Sequence, residues 1–175
     1  MVELGQLLQG MAVTWLPRDP TVKVRAIRYD SRRVERGDLF VAIRGFKEDG
    51  HRYVDDAIRR GAVAVVVEEA TAVPRDAAVA AVQLADTRQA MGLLAARLCD
   101  HPSKKLRLVG VTGTNGKTTT THLIRAILEH AGWPTGLIGT VHNIIGGKEL
   151  AVERTTPEAP DLMELLQAQL AAGGR

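Results

Sequence analysis

Residues 106–119 have the sequence LRLVGVTGTNGKTT, and they carry the strongest structural signal in the chain. The apolar run at 106–111 predicts a strand. A glycine-rich loop follows it, and the apolar spacing of residues 117–130 predicts an amphipathic helix that ends before Gly132 and Pro134. A strand, a glycine-rich loop and a helix in this order indicate a phosphate-binding loop.

The residues of this loop suit a nucleotide. Gly113 and Gly116 let backbone N–H groups come close to phosphate oxygens. Lys117 is placed to neutralise the β- and γ-phosphates, and the hydroxyl of Thr118 is placed to bind Mg²⁺. The general pattern G-x-x-x-x-G-K-[ST] needs glycine at position 111, where this chain has Val111. The interpretation therefore depends on the flanking strand and helix as much as on the motif.

Strands that alternate with helices predict an α/β fold in both halves of the chain. In the first half we predict strands at 21–28, 39–43, 62–67 and 78–84. The helices of this half are predicted at 53–60 and at 87–99, the second capped by Asp86 or Thr87. The polar segment 100–105 is the predicted boundary between two domains, 1–102 and 103–175.

Beyond the loop helix, the pattern predicts a short strand at 137–139 and a hairpin at 141–152, centred on Gly146 and Gly147. A last helix is predicted from Pro157, with Thr156 as its N-cap and with an apolar stripe of Leu162, Leu165, Leu166 and Leu170. Thr155 and Glu158 also fit a capping box at its start.

Composition excludes several classes of protein. The chain has 175 residues, 45% of them hydrophobic and 25% charged, as in globular proteins. The net charge of +3 is spread over both halves and only 3% of residues are aromatic, so we expect no nucleic-acid partner. No apolar run approaches the ~20 residues that span a bilayer, and the N-terminus has no basic region typical of a secretory signal. We expect a cytoplasmic protein without a membrane partner, and a monomer.

Cysteine and histidine give no sign of a metal site. Cys99 is the one cysteine, so it can form no internal disulfide, and we expect a buried thiol. The five histidines show no pairing typical of metal ligands, and we expect them to be structural or exposed; they are His51, His101, His122, His130 and His142.

The loop and the first half together resemble the Mur ligases, the ATP-dependent amide-bond-forming enzymes of peptidoglycan synthesis. Residues 113–119 resemble their ATP loop. Three motifs resemble the uridine-nucleotide-binding domain that the third and fourth ligases share, namely Asp30-Ser31-Arg32, residues 37–42 and Asp49-Gly50-His51. The resemblance implies a Rossmann-like UDP-binding domain, followed by the start of a P-loop ATPase-type α/β central domain.

The resemblance also implies a role for each matching residue. ATP would be held by Gly113, Thr114, Asn115, Gly116, Lys117, Thr118 and Thr119, with Lys117 catalytic and Thr118 on Mg²⁺. The uridine-nucleotide end of the substrate would contact Tyr29, Ser31, Phe46, Lys47 and Glu48. Thr155 and Thr156 would contact the MurNAc-peptide portion. Plainer interpretations stay open, because Ser31 is also a good turn former and Lys47 and Glu48 also suit a solvated loop.

Residues 139–141, the Gly146-Gly147 turn and residues 155–158 are similar to the third ligase. The implied reaction is ATP-dependent addition of a diamino acid, meso-diaminopimelate or L-lysine, to UDP-MurNAc-L-Ala-D-Glu through an acyl phosphate. In the family, the residues that complete this site lie beyond Arg175, so we expect an N-terminal fragment that is inactive alone. A MurF-like ligase and a non-catalytic uridine-nucleotide-binding module are the alternatives.

Overall fold

The computed structural model describes residues 1–14, 20–45, 48–74, 76–152 and 156–174. The chain divides into two compact units, Met1–Leu98 and Cys99–Arg175. The first unit begins with a small antiparallel sheet of β1 (Val2–Glu3) and β2 (Lys23–Val24), with the single-turn helix α1 (Leu4–Leu7) between the two strands.

A parallel sheet forms the centre of the first unit. Its four strands lie in chain order, β3 (Ile27–Arg28), β4 (Leu39–Val41), β5 (Ala64–Val67) and β6 (Ala80–Gln83). Helix α2 (Val54–Arg59) joins β4 to β5, and α3 (Thr87–Leu98) follows β6. Every residue of β4 and β5 is buried, as expected for parallel strands that are covered on both faces.

The core of this unit explains why the strands are continuous apolar runs. Phe40, Val65 and Val67 pack with Val54 and Ala57 of α2 in one buried cluster. Helix α3 contacts β3 and β4. The predicted elements at 39–43, 53–60, 62–67, 78–84 and 87–99 are confirmed, with small differences at their ends. Asp86 caps α3, because its Oδ1 accepts the N–H of Gln89 at 2.8 Å.

The single strand predicted at 21–28 is wrong in one respect. The segment holds two short strands in different sheets, since β2 pairs with β1 and β3 pairs with β4. Between them the N–H of Arg25 donates to the carbonyl of Gly37 at 2.8 Å, and the Arg25 side chain pairs with the fully buried Asp38 at 3.0 Å. The alternation of apolar residues indicated extended backbone but could not indicate the change of partner.

The second unit contains α4 (Lys117–His130), which has the bounds predicted for it. A three-stranded antiparallel sheet follows, made of β7 (Leu137–Ile138), β8 (Asn143–Ile145) and β9 (Lys148–Leu150). The predicted hairpin is confirmed, with Gly146 and Gly147 between β8 and β9. Cys99 is buried as expected, and its burial raises the pKa of the thiol.

The strand predicted at 106–111 is wrong, because these residues form no strand among the described parts of the chain. A strand needs a neighbour for its N–H and C=O groups, and none of β7, β8 and β9 pairs with this segment. Leu108 and Val109 are 57% and 65% exposed. A cleft of about 850 Å³ lies beside the segment, lined by residues of α4 and α5 (Ala159–Ala171).

The start of α5 also differs from the prediction. Its N-cap is Glu158, which is extended at φ −70° and ψ 163°, and the proline of its first turn is Pro160. Thr156 is therefore not the N-cap and Pro157 is not the first helical residue. Pro157 and Pro160 both suit a helix start. Because Glu158 is extended, the helix begins after it, and Pro160 lies in its first turn. Of the predicted leucine stripe, Leu166 is buried and the other three are half-buried.

Gln169 is a buried side chain that the sequence analysis missed. Its Oε1 accepts the N–H of Gly146 at 3.0 Å, and its Nε2 donates to the carbonyl of Pro134 at 3.2 Å. These two bonds join α5 to the hairpin turn and to the loop after α4. In the described part of the chain, no helix combines the length and the hydrophobicity that crossing a bilayer requires.

Gly50 and Gly92 provide a matched test of close approach in the first unit. A Cβ on Gly50 would lie 2.8 Å from the backbone N and O of Ile43, whereas a Cβ on Gly92 in α3 would meet nothing within 4 Å. We expect Gly50→Ala to lower the free energy of unfolding by about 1–3 kcal/mol, and Gly92→Ala to raise it by about 0.5–1 kcal/mol. Urea denaturation measures both, and equal effects would contradict the assigned backbone approach.

Candidate functional site

Four loops of the first unit start at the carboxyl ends of its parallel strands. Ser31 lies three residues after β3, residues 42–50 follow β4, Glu68 follows β5 and Thr87 follows β6 by a short turn. Carboxyl ends of parallel strands lie at one edge of a sheet, and ligands of open α/β sheets bind outside that edge. The topology therefore brings the Ser31 turn and the Glu48 loop to the same edge.

Ser31 begins a 3₁₀ turn, Ser31–Arg33, and is only 5% exposed. The carboxylate of Asp30 accepts the N–H of Arg32 at 3.0 Å and pairs with its guanidinium at 2.7 Å. The Ser31 hydroxyl donates to the carboxylate of Asp56 in α2, and this bond holds the pKa of Asp56 below its usual range. Because a hydroxyl has one hydrogen, the Ser31 oxygen can only accept a further hydrogen bond.

Tyr29 and Glu48, two further candidates, belong to the loops that follow β3 and β4. Glu48 is exposed, and its Oε2 accepts the hydroxyl hydrogen of Tyr53 at 2.9 Å, which raises the pKa of Tyr53. Its own carbonyl accepts the N–H of Gly45 at 2.8 Å and closes the loop. Tyr29 is half-buried directly after β3. Phe46 and Lys47, the other residues predicted to bind the nucleotide, lie outside the described residues.

His51 holds this loop against the sheet. Its Nδ1 donates to the Asp49 carboxylate at 2.7 Å, and its Nε2 accepts the N–H of Glu68 at 2.8 Å. The backbone N–H of His51 also bonds Asp49, and these bonds lower the pKa of Asp49. The His51 side chain is 5% exposed, so the prediction of a structural histidine is confirmed for His51. The Asp49-Gly50-His51 motif was the signal that could have identified its partner.

Thr87 adds a second link that sequence analysis missed. Its side chain is fully buried and its hydroxyl donates to the carbonyl of Ala42 at 2.7 Å. Its N–H donates to the Glu68 carboxylate at 3.2 Å, and that carboxylate also pairs with Arg44 at 3.4 Å. The loop after β4 is thus joined to the ends of both β5 and β6.

The glycine-rich loop of the second unit leads into α4. Gly116 is the N-cap, with φ +79°, a conformation that glycine adopts without strain. The first bond of the helix runs from the Thr120 N–H to the Gly116 carbonyl at 2.9 Å. The N–H groups of Lys117, Thr118 and Thr119 precede this bond, so they point out of the helix end, where an anion is favoured.

Lys117 lies over this loop. Its ammonium donates to the Gly113 carbonyl at 2.6 Å and approaches the Thr114 carbonyl at 3.4 Å. The loop residues, with Asn115 among them, are exposed. A cation above a row of open N–H groups is the arrangement that binds nucleotide phosphates.

A Mg²⁺ ion at this loop would rely on few protein ligands. Among the described residues no group of three or more His, Cys, Asp or Glu side chains could hold a metal. The Thr118 hydroxyl at the start of α4 remains suitable, because Mg²⁺ in nucleotide sites is held by one or two protein groups together with phosphate oxygens and water. The donor set fits a nucleotide-bound ion.

Thr155 lies outside the described residues, and Thr156 is exposed just before α5. Both belong to the second unit, as does the phosphate loop, whereas Ser31, Tyr29 and Glu48 belong to the first. The described candidate residues are therefore divided between the two units.

Both units match known domains. Residues 23–98 match the Mur ligase family, catalytic domain, and residues 111–173 match the Mur ligase middle domain. The chain belongs to the Mur ligase family. In this Mur ligase chain the first match covers β2 to α3, and the second covers the phosphate loop, α4, the hairpin and α5.

Individual relatives agree with this membership. A protein from Clostridium perfringens (strain 13 / Type A), named UDP-N-acetylmuramoyl-L-alanyl-D-glutamate--2,6-diaminopimelate ligase, is 43% identical over 170 residues, which are 97% of this chain and 35% of that protein. This Mur ligase chain therefore spans about a third of the length of the relatives that it matches.

Solved structures share the fold. The structure of a UDP-N-acetylmuramoyl-L-alanyl-D-glutamate--2,6-diaminopimelate ligase covers 99% of this chain with a TM-score of 0.75 at 24% identity, the chain covering 34% of it. The MurF ligase from Thermotoga maritima in complex with ADP has a TM-score of 0.51 and 26% identity; the match covers 82% of this chain and 29% of that protein. The α/β fold of both units is thus that of Mur ligases.

The bond between Ser31 and Asp56 can be tested by titration. In Ser31→Ala we expect the pKa of Asp56 to rise toward its usual value, in part only, because Arg60 still bonds this carboxylate at 3.0 Å. The bond contributes to stability above the ordinary carboxyl pKa, and this contribution is lost as the pH falls through the lowered pKa of the folded state. NMR titration of the carboxyl carbon measures the shift. Ser103→Ala is the control, and an unchanged Asp56 would contradict the bond.

Proposed function

We propose that this chain is the N-terminal part of a ligase that joins a diamino acid to UDP-MurNAc-L-Ala-D-Glu at the expense of ATP. Meso-diaminopimelate is the first choice of amino acid, since the relative from Clostridium perfringens has 2,6-diaminopimelate in its name, and L-lysine is the second. The observation that carries the proposal is the open N-terminus of α4 under Lys117, in a chain aligned over 97% of its length with such a ligase.

The phosphate loop would serve the first half of the reaction. A carboxylate oxygen of D-Glu attacks the γ-phosphorus of ATP, ADP leaves, and an acyl phosphate is formed. The open N–H groups at 117–119 would hold the phosphates in line, and Lys117 would stabilise the charge that develops on them. Mg²⁺, with Thr118 as a protein ligand, would supply further charge neutralisation when bound.

The second half of the reaction forms the amide. The amine of the diamino acid attacks the acyl carbon, phosphate leaves, and the nitrogen loses a proton. The residues that would bind the diamino acid belong, by the resemblance, to the part of the protein beyond residue 175. Thr155 and Thr156 are proposed contacts to the MurNAc-peptide portion in this chain.

The first unit would hold the nucleotide end of the substrate. We assign residues 1–102 to the UDP-MurNAc-binding domain and 103–175 to the first part of the ATP-binding central domain. Tyr29, Ser31 and Glu48 are proposed contacts at the carboxyl edge of the sheet, together with Phe46 and Lys47 from the sequence. The same proposal places the protein in the cytoplasm, because ATP and nucleotide-linked precursors are found there. It also takes the protein to be a monomer.

A MurF-like ligase is the second candidate, favoured by the structural likeness to MurF. The two candidates differ in substrate, so a product assay on the complete protein distinguishes them. UDP-MurNAc-dipeptide with a diamino acid should give product in the first case, and only UDP-MurNAc-tripeptide should be extended in the second.

Lys117 is the residue to change in the complete protein. We expect Lys117→Ala to lower the ligase turnover by at least about 100-fold, because phosphate charge would lose its cation in the transition state. Lys148→Ala, at an exposed lysine of β9, is the control and should stay within about twofold of the parent. Turnover that is unaltered in Lys117→Ala would reject the proposed role of the loop.

The 175-residue chain should bind nucleotide but not catalyse. We expect weak binding of UDP-MurNAc-dipeptide in titration calorimetry, and its loss in Ser31→Ala but not in Ser103→Ala. Neither ligase nor ATPase activity should be measurable, because the acceptor-amine site is not part of the chain. Robust ATP hydrolysis by the chain would contradict this assignment of the site.

A further inference from the structure

Tyr53 presents an aromatic ring at the proposed nucleotide edge. Among the described aromatic residues of the first unit, Phe40 is fully buried, Tyr29 is half-buried and Tyr53 is 41% exposed. Exposed aromatic rings on a rigid scaffold are frequent contact points for ligands. Tyr53 is not among the site residues that the sequence predicts.

The ring is fixed from two sides. Its backbone ends the 3₁₀ turn Gly50–Tyr53 and is the N-cap of α2, so its Cα belongs to a rigid part of the fold. Its hydroxyl donates to Oε2 of Glu48 at 2.9 Å, in the loop after β4. A ring held at both ends loses little conformational freedom when a ligand contacts it.

The turn that contains Ser31 and Arg32 contacts α2, the helix that has Tyr53 as its N-cap. Asp56, three residues after Tyr53, accepts the Ser31 hydroxyl. The Arg32 guanidinium interacts electrostatically with the Tyr53 hydroxyl, and its two bonds to the Asp30 carboxylate, at 2.9 Å and 2.7 Å, hold it in one plane. The edge thus offers an aromatic ring and a planar guanidinium, beside a serine whose hydroxyl oxygen can only accept a further hydrogen bond.

We propose that Tyr53 is the stacking surface for the pyrimidine base of the uridine nucleotide, with Arg32 at its side. The inference rests on the proposed function, since it names a contact of the nucleotide site. Bases stack on tyrosine rings and on guanidinium planes. Uracil has one N–H donor, at N3, and the Ser31 oxygen can accept a hydrogen bond from it. A stacking ring and a hydrogen-bond acceptor together match this base.

A probe that differs only in planarity tests the stacking. In 5,6-dihydro-UDP the base keeps its N3–H and both carbonyls but loses its aromatic character and its flat shape. We expect the 175-residue chain to bind UDP about tenfold more tightly than dihydro-UDP in titration calorimetry. Tyr53→Ala should lower the affinity for UDP about tenfold and leave that for dihydro-UDP within about twofold.

Two variants separate stacking from the bond to Glu48. Tyr53→Phe keeps the ring and removes the hydroxyl, so both affinities should stay within about threefold of the parent if the ring stacks. Leu93→Ala, at a residue of α3 that is 51% exposed, controls for a generic loss of exposed apolar surface. Circular dichroism checks that each variant folds.

The outcomes have distinct meanings. If Tyr53→Ala weakens UDP and dihydro-UDP equally, or if Tyr53→Phe behaves like Tyr53→Ala, Tyr53 only fixes the Glu48 loop and the inference is wrong. If the parent chain binds UDP but does not distinguish it from dihydro-UDP, the inference is also wrong while the proposed function stands. If the parent chain does not bind UDP at all, the proposed nucleotide site itself is overturned.

Discussion

The hydrogen bond from the Glu68 N–H to the imidazole of His51 is the interaction on which the carboxyl edge of the first unit's parallel sheet depends. It joins the loop after β4 to the first residue after β5. The Asp49 carboxylate can only accept, so it fixes the ring hydrogen on Nδ1 and leaves Nε2 as the acceptor that Glu68 needs. Glu48 and Tyr53 lie just before and just after the segment Asp49–Arg52. The bond between His51 and Glu68 therefore positions both residues, although neither takes part in it.

The sequence was sufficient where an element depends on its own residues. The helix at 117–130 and the buried strand within 62–67 follow from apolar spacing and from glycine and proline at their ends. The segment 106–111 has a strand-like sequence as well, but pairing is a property of two segments and no described strand pairs with it. The start of α5 was mispredicted because Thr156 and Glu158 each precede a suitable proline.

The candidate site also has parts that depend on local sequence and parts that depend on contacts between distant segments. The phosphate loop is local, so its glycines, Lys117 and the start of α4 could be located from the order of residues alone. Asp56 as the partner of Ser31, and Glu48 as the partner of Tyr53, depend on how α2 lies against two loops. A motif indicated the chemistry of Ser31, but it could not indicate that the hydroxyl hydrogen is already engaged and that only acceptor capacity remains for a ligand.

The uncovered apolar surface of the second unit has a consequence for the colloidal behaviour of the chain. Leu123 and Ile127 on α4 are 60% and 68% exposed, near a cleft lined by further apolar side chains. Surface of this kind associates with its like as concentration rises. Sulfate and phosphate salts strengthen such association, because they are excluded from protein surface. Solutions of the chain should therefore be kept dilute and free of these salts, and light scattering would detect self-association before any loss of secondary structure.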